Sequence, residues 1–320
     1  MIYLLGSSIQ LLVLGLLYWA VHLIPALRMT SSQRCVFIVL IFGVTIFPEN
    51  LVPVHLDLQT LSIADDSREA LSGLLASLTG SPVSKALLVI WLAGILFIAF
   101  FEGLRSLKVH RSLIREPIET KSAVYESLET VKKRVGILVP ISIHCSRLIP
   151  YPVLLGWLRP RIFFPERESD MSKDSLESIL THECVHIRRG DIFWHWVISF
   201  SALLFWFHPI SWILIRRYLK DREIACDSSV LRTSDFSLDI YLNTLLEESR
   251  HQVDHARGAT PFFSAGIVEQ KSLIQSRIEN LMKTEHTGKL SFLSTISLAA
   301  LAVISSLALT SLRAEPDPEL

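Results

Sequence analysis

Two histidines and a glutamate near the middle of the chain have the spacing of a metal-binding motif. Residues 182–186 read His-Glu-Cys-Val-His. On a helix, residues four apart lie on one face, so His182 and His186 can bind the same metal ion. A carboxylate beside a catalytic zinc can take a proton from water on the metal. The motif therefore predicts a Zn2+ site with His182 and His186 as ligands and Glu183 as the general base. The alternative is a surface helix with two unrelated histidines.

The residues around this motif predict the helix that it requires. Ser172 suits an N-cap position, and Asp174 suits a first turn because of the positive end of the helix dipole. Arg189 and Gly190 are typical of a C-terminal end. We therefore expect one helix between residues 172 and 191.

A catalytic zinc site usually has three protein ligands and a water, so a third side chain is needed. The best candidate is Glu223, in the sequence Glu-Ile-Ala-Cys-Asp at 223–227. Asp227 follows four residues later on the same helix face and could accept the N–H of a ligating histidine, which fixes its tautomer. Asp191 is a second candidate for this outer role. The alternatives are a solvated Asp227 and an Asp191 that caps a helix.

Two of the four cysteines lie close in sequence to these residues. Cys184 lies about 200° round the helix from His182 and should face away from the metal. The spacing of Cys226 does not exclude it as a ligand. We expect both to be small buried residues. No C-x-x-C pair is present, so neither a zinc ribbon nor a redox pair is indicated.

The composition is typical of an integral membrane protein. Hydrophobic residues form 50% of the 320 residues, charged residues form 19%, and the mean hydropathy is +0.41. The formal net charge is zero, so no basic surface indicates nucleic acid binding. Four apolar runs are predicted to span the membrane, although the second is shorter than the usual length of about 20 residues. They are residues 2–27, 35–47, 86–101 and 290–312.

The charges between these runs predict their orientation. Arg28 and Arg34 lie between the first two runs, acidic residues dominate 49–84, and arginines and lysines follow residue 101. The positive-inside rule then places both chain ends outside a cytoplasmic membrane and the zinc motif in the cytoplasm.

Three regions follow from this topology. Residues 1–103 form a membrane region with an outer loop at 49–84. Residues 104–289 form the cytoplasmic zinc domain, and 290–320 form the last span and a short outer tail.

A further apolar run, residues 192–215, has no charged residue and could itself be a span. A span here would place Glu223 across the membrane from His182. The dipeptide His208-Pro209 offers a break, because proline ends the preceding helix. We therefore predict a re-entrant helical hairpin that returns the chain to the same side, with a true fifth span as the alternative.

Together these features resemble the membrane-bound zinc metallopeptidases of the beta-lactam sensor and antirepressor family, the BlaR/MecR type. The resemblance rests on 182–186, Asp191, His-Pro-Ile-Ser-Trp at 208–212, 223–227, and Pro-Val-Leu-Leu-Gly at 152–156. It implies a gluzincin-like site on the cytoplasmic side, a protein substrate such as a transcriptional repressor, and self-cleavage between the site and the last span. Within that segment we take 260–266 as the candidate for cleavage.

The end of the chain departs from the sensors of that family. They carry an extracellular penicillin-binding domain after the last span, whereas 313–320 hold no S-x-x-K motif. We therefore expect that this chain does not itself sense beta-lactams.

The remaining cytoplasmic segments complete the predicted fold. Helices are indicated at 119–135, 239–250 and 269–283, and strands at 136–144 and 151–165. A strand edge could bind an extended substrate, or the sheet could only support the zinc helix. The expected fold class is a mainly α integral membrane protein. It has four transmembrane helices, a re-entrant hairpin and a gluzincin-like zinc domain with a small β-sheet.

The sequence thus predicts a membrane-embedded zinc metalloendopeptidase of the signal-transduction type. Two other functions stay open: a non-proteolytic transducer with structural zinc, and a maturation or quality-control protease. The expected partners are a protein substrate, the lipid bilayer and, as an option, a second copy of the chain.

Overall fold

The structure is a computed structural model that describes residues 2–23, 29–46, 82–115, 122–146, 149, 151–165, 171–255 and 267–283. Within these residues the fold is mainly helical, with one small sheet. The helices are α1 (Ile2–Leu23), α2 (Ser31–Ile46), α3 (Pro82–Arg115), α4 (Ser122–Val135), α5 (Lys173–Arg189), α6 (Asp191–Leu204), α7 (Pro209–Thr233), α8 (Leu238–His255) and α9 (Ile267–Lys283). The strands are β1 (Ser142–Ser146), β2 (Val153–Leu155) and β3 (Arg161–Pro165).

The chain divides into two compact units. Among the described residues, the first unit holds those up to Ala99 together with Phe200–Tyr218, and the second holds Phe100–Ser199 and those from Leu219 onward. The domain boundaries predicted after residues 103 and 289 stay predictions.

The second unit is built on the sheet and the helices that pack on it. The strand order is β1-β3-β2, with β1 parallel and β2 antiparallel to β3. Its apolar core is formed by buried residues of the sheet and of helices α4, α5, α7, α8 and α9. They include Leu128, Val131, Ile143, Ile162, Phe164, Leu180, Cys184, Val230, Leu245 and Leu281.

The strand expected at 136–144 begins later than predicted. Gly136, at φ 79°, and Ile137 both donate backbone N–H groups to the Lys132 carbonyl at 2.9 Å. These residues therefore end α4, and Ser142 is the first to pair with β3. The apolar composition of 136–144 indicates a strand, whereas the capping of α4 depends on backbone geometry, which composition does not show.

Helix α5 is ended on both sides as the sequence predicts. The Ser172 hydroxyl accepts the Ser175 N–H at 3.2 Å. Gly190 adopts the left-handed conformation at φ 68° and donates its N–H to the Ile187 carbonyl. The next residue, Asp191, already begins α6. Only Gly190 therefore separates Asp191 from the last turn of α5.

The predicted membrane spans are matched in part. Of the described residues, Pro82–Lys108 in α3 form one helix long and apolar enough to cross a membrane. Helices α1 and α2 are apolar and cover the first two predicted runs as far as Leu23 and Ile46. The fourth predicted span and most of the outer loop lie outside the described residues. Four spans and their orientation therefore stay predictions.

The apolar run 192–215 is interrupted where the sequence predicts. Helix α6 ends at Leu204, and α7 begins at Pro209. The Ser211 hydroxyl donates to the carbonyls of Phe205 at 2.9 Å and His208 at 2.7 Å. The turn is thus held by its own hydrogen bonds, and α7 continues into Glu223.

Candidate metal centre

The two histidines of the motif lie one turn apart on α5, and α7 brings a carboxylate to them. The Nε2 atoms of His182 and His186 are 3.1 Å apart. Glu223 Oε2 is 3.5 Å from His182 Nε2 and 3.7 Å from His186 Nε2. Three potential ligand atoms from two helices therefore converge on one point.

The size of this triangle fits a zinc ion. Zinc bound tetrahedrally at about 2.0–2.1 Å from nitrogen and oxygen separates its ligand atoms by roughly 3.3–3.4 Å. The sides observed are 3.1, 3.5 and 3.7 Å. The side chains are also mostly buried, with exposures of 14% for His182, 11% for His186 and 14% for Glu223. The donor types, spacing and burial thus all suit Zn2+.

His186 is oriented from behind by a carboxylate. Its Nδ1 lies 2.6 Å from Asp191 Oδ2, the partner expected as one option from the sequence. Arg189 Nε also donates to Asp191 Oδ2, at 3.1 Å. Burial would raise the pKa of Asp191, but the His186 hydrogen bond and the charges of Arg189 and Arg222 outweigh it and lower that pKa. Asp191 is therefore an ionised acceptor for the His186 ring.

His182 is oriented through a tyrosine rather than by Asp227 alone. Its Nδ1 is 2.9 Å from the Tyr241 hydroxyl, which donates to Asp227 Oδ1 at 2.6 Å. The direct distance from His182 Nδ1 to Asp227 Oδ1 is 3.4 Å. The sequence interpretation placed Asp227 against a histidine, and the structure adds Tyr241 between the two groups.

Asp227 is fully buried and paired with an arginine. Arg277 on α9 donates from Nε to Oδ2 at 2.8 Å and from Nη2 to Oδ1 at 2.7 Å. Burial alone would raise the pKa of Asp227, but the Arg277 charge and hydrogen bonds hold it well below its usual range. Burial and the Asp227 charge raise the pKa of Tyr241. The phenol therefore stays protonated beside a carboxylate.

The two oxygens of Glu223 face different partners. Oε1 accepts from Arg222 Nη2 at 2.8 Å and Nε at 3.1 Å. Oε2 faces the two imidazoles, with Arg277 Nη1 at 3.8 Å. Burial opposes ionisation of Glu223, but the charges of Arg222 and His186 keep its pKa well below the usual range. One oxygen of an ionised carboxylate is thus presented to the metal position.

The two cysteines differ in their relation to the site. Cys184 is fully buried in the apolar core, and burial raises its pKa to about 12. Cys226 Sγ lies 3.6 Å from His182 Nδ1 and donates to the His182 carbonyl at 3.5 Å. With His182 and His186 it forms a set whose ligand atoms lie within 4.8 Å of one another. Two donor sets, His/His/Glu and His/His/Cys, therefore share the same histidines.

Sequence reasoning missed Tyr241, Arg277 and the role of Arg222. Tyr241 lies one turn before buried Leu245, and Arg277 lies one turn before buried Leu281. A hydroxyl and a cation on the apolar faces of helices were the available signals, because such groups are normally paired when buried. Glu183, the predicted general base, lies beside His182 on α5 and is partly exposed.

Comparison with known proteins extends over most of the chain. The family model described as BlaR1 peptidase M56 matches residues 4–281. The chain is 26% identical to the regulatory protein BlaR1 of Bacillus licheniformis over 161 residues, which are 49% of this chain and 26% of that protein. It is also 26% identical to the methicillin resistance mecR1 proteins of Staphylococcus aureus and Staphylococcus epidermidis over 156 residues, 48% of this chain and 26% of each relative. The aligned stretch therefore spans about a quarter of each relative's length.

Proposed function

Because the chain belongs to the BlaR1 peptidase M56 family, we propose that it is a zinc metalloendopeptidase that acts on protein substrates. The observation that carries this proposal is the convergence of His182 Nε2, His186 Nε2 and Glu223 Oε2 at distances that suit zinc. Family membership supports peptidase chemistry, and the geometry supports these three side chains as the ligands.

The roles of the residues follow from their chemistry. When bound, zinc would lower the pKa of a water molecule and polarise the scissile carbonyl. Glu183 takes a proton from the attacking water as its oxygen bonds to the carbonyl carbon, and returns it to the leaving amine as the C–N bond breaks. Asp191 and Asp227, the latter through Tyr241, hold the imidazoles in place.

Glu223 is a better third ligand than Cys226. His182 presents Nε2 to His186 and Glu223, whereas its Nδ1 faces Tyr241 and Cys226. A metal held by both Nε2 atoms therefore meets the carboxylate oxygen directly. Glu183, which follows His182 in the sequence and is partly exposed, also favours a catalytic over a structural metal, because a structural site needs no general base.

A substrate in the cytoplasm, such as a transcriptional repressor, agrees with the charge pattern of the chain. Basic residues Arg105, Lys108 and Arg111 follow the apolar part of α3 and indicate its cytoplasmic end. The related proteins carry names that denote regulation and methicillin resistance. Strands β1 and β2 are the two edges of the sheet, where an extended substrate could add as a further strand. Self-cleavage near 260–266 belongs to the same proposal, and that segment lies outside the described residues.

The chemistry is tested with the full chain purified in detergent. We expect the wild type to hold about one zinc per chain and to cleave labelled casein or its own chain. Glu183→Gln should retain the zinc and lose at least about 100-fold in rate, the lower end of general acid–base effects. Asp174→Asn, an exposed change on the same helix, is the matched control. Equal rates for wild type and Glu183→Gln would reject the mechanism.

A structural zinc site with Cys226 among four protein ligands, in a non-proteolytic transducer, is the second candidate, because Cys226 lies against His182. Zinc content separates the two. In the proposed peptidase, Glu223→Gln loses zinc and Cys226→Ser retains it. The opposite result would make the site structural and would overturn the peptidase proposal.

A further inference from the structure

A chain of hydrogen bonds runs from helix α9 to the metal position. Arg277 donates two N–H groups to Asp227, one to each carboxylate oxygen, at 2.8 and 2.7 Å. Asp227 accepts the Tyr241 hydroxyl at 2.6 Å, and the Tyr241 oxygen lies 2.9 Å from His182 Nδ1. The links join residues 50, 14 and 59 positions apart in sequence. Three helices beyond α5 thus act on one imidazole.

In this series of hydrogen bonds, each bond fixes which group must be the donor in the next bond. A guanidinium has only donors, and an ionised carboxylate has only acceptors, so Asp227 must accept from both Arg277 and Tyr241. With its hydrogen committed to Asp227, the Tyr241 oxygen can only accept from His182. In the neutral form that can bind a metal, His182 must therefore carry its proton on Nδ1, which leaves the Nε2 lone pair directed at His186 Nε2 and Glu223 Oε2.

The residues of this hydrogen-bonded series are buried, so the orientation of Asp227 depends on Arg277. Asp227 and Tyr241 are 0% and 3% exposed, and the Arg277 side chain is 11% exposed. A buried carboxylate that loses its cationic partner is left as an uncompensated charge, which is strongly destabilising. Two parallel N–H donors match a carboxylate in a way that a single ammonium does not. Arg277 also approaches Glu223 Oε2, at 3.8 Å.

We infer that Arg277 is a positioning residue for the metal site, and that helix α9 is therefore part of that site. Its two hydrogen bonds orient Asp227, Asp227 directs the Tyr241 hydroxyl, and Tyr241 fixes the tautomer and ring angle of His182. This inference rests on the zinc site of the proposed function and extends it to a helix 95 residues beyond His182, counting from 182 to 277. His186 needs no such relay, because Asp191 contacts it directly.

Zinc affinity, measured by chelator competition on the full chain in detergent, tests the inference. Tyr241→Phe removes the hydroxyl and keeps the ring, and we expect it to weaken zinc binding by about 10–100-fold, the usual range for such outer partners. Arg277→Lys should weaken binding to a similar extent, because it loses the paired donors. The double variant should bind about as weakly as the weaker single variant, since both changes break one serial chain.

Controls separate positioning from a general loss of stability. Glu279→Gln changes an exposed residue on the same helix and should leave zinc affinity within about twofold of the wild type. The Co2+-substituted protein gives a second measure, and its visible spectrum should shift in Tyr241→Phe and not in Glu279→Gln. If Arg277→Lys fails to fold, Arg277→Gln takes its place in the same measurement, because it also lacks the paired donors.

Lower melting temperatures with unchanged zinc affinity in Tyr241→Phe would assign the network a structural role and overturn the inference. Additive losses in the double variant would show two independent effects and would overturn the serial relay. A wild type that binds no zinc would overturn both proposals. A wild type that binds zinc with the expected variant effects but cleaves nothing would leave this inference intact and reject only the peptidase function.

Discussion

Two regions of this protein form buried hydrogen bonds of different kinds: the zinc region, which is the proposed site around His182 and Glu223, and the apolar region around the α6–α7 turn at 204–209. Around the metal position, buried contacts join ionised side chains, as in the Arg277–Asp227 pair. Around the α6–α7 turn in the other unit, indole N–H groups donate to backbone carbonyls instead. These bonds run from Trp91 to Leu204 at 2.9 Å, from Trp206 to Trp91 at 3.3 Å, and from Trp212 to Trp206 at 2.8 Å.

The difference reflects what each region must accomplish. Charges inside a protein orient one another strongly, so they can hold an imidazole at the angle that a metal requires. A turn between apolar helices needs its free carbonyls satisfied at the lowest desolvation cost, and neutral indole donors do this. Close packing rather than charge then positions the side chains, and the lack of a side chain at Gly94 leaves room for the Trp206 ring. The zinc region should therefore respond to protonation and charge removal, and the apolar region to volume.

The largest expected effect is that of pH on the zinc region. Burial opposes protonation of His182 and His186, but neighbouring groups, Cys226 foremost, outweigh it and raise both pKa values well above 6.5. The metal-free rings therefore bind protons more readily than a free imidazole does, and zinc must compete with those protons. Zinc affinity should fall as pH decreases below the raised pKa values, by up to about 100-fold per pH unit for two protons, and level off above them.

Chelator competition between about pH 6 and pH 8 measures this effect, together with proton release on zinc addition. The melting temperature of the metal-free protein over the same range serves as the control for unfolding. A zinc affinity independent of pH would show that the imidazoles are already neutral and would weaken the contrast between the regions.

The next effect is the removal of one charge behind a ligand. Asp191→Asn keeps the shape of the side chain but replaces an ionised acceptor 2.6 Å from His186 Nδ1 with a neutral amide. We expect zinc affinity to fall by about 10–100-fold. Chelator competition measures it, with Asp174→Asn on the surface of α5 as the control for an equivalent charge change. An unchanged affinity would mean that packing alone holds His186.

The smallest effect tests volume in the apolar region. A Cβ added at Gly94 would lie 2.4 Å from the Trp206 ring, so Gly94→Ala must displace the indole. We expect a loss of about 1–3 kcal/mol in stability, typical of overpacking, measured as a lower melting temperature in detergent. Zinc affinity should stay within about twofold of the wild type, because no ionised partner of the site is changed.

Gly103→Ala on the same helix is the matched control. Among the described residues, nothing lies within 4 Å of its added Cβ. Alanine is also a better helix former than glycine by about 1 kcal/mol. The two variants should therefore move the melting temperature in opposite directions. Equal shifts would show that the apolar region does not depend on close packing at Gly94.

Local signals account for the parts of the fold that sequence predicted well. The α5 helix, its Ser172 and Gly190 caps and the break before Pro209 each depend on a few adjacent residues. The face shared by His182 and His186 follows from helix periodicity alone. The start of β1 was misplaced because residues after α4 serve its capping, which periodicity does not reveal.

The sequence by itself therefore determined the donor types, their spacing along each helix and the family resemblance. Only the tertiary structure decided that Tyr241 lies between His182 and Asp227 and that Arg277 pairs with Asp227. It also decided that one oxygen of Glu223 faces the histidines while Arg222 binds the other. The physical reason is the sequence separation over which each kind of contact acts. Helix geometry repeats within a few residues, whereas contacts between α5, α7, α8 and α9 depend on how whole helices pack, and many packings satisfy the same apolar pattern.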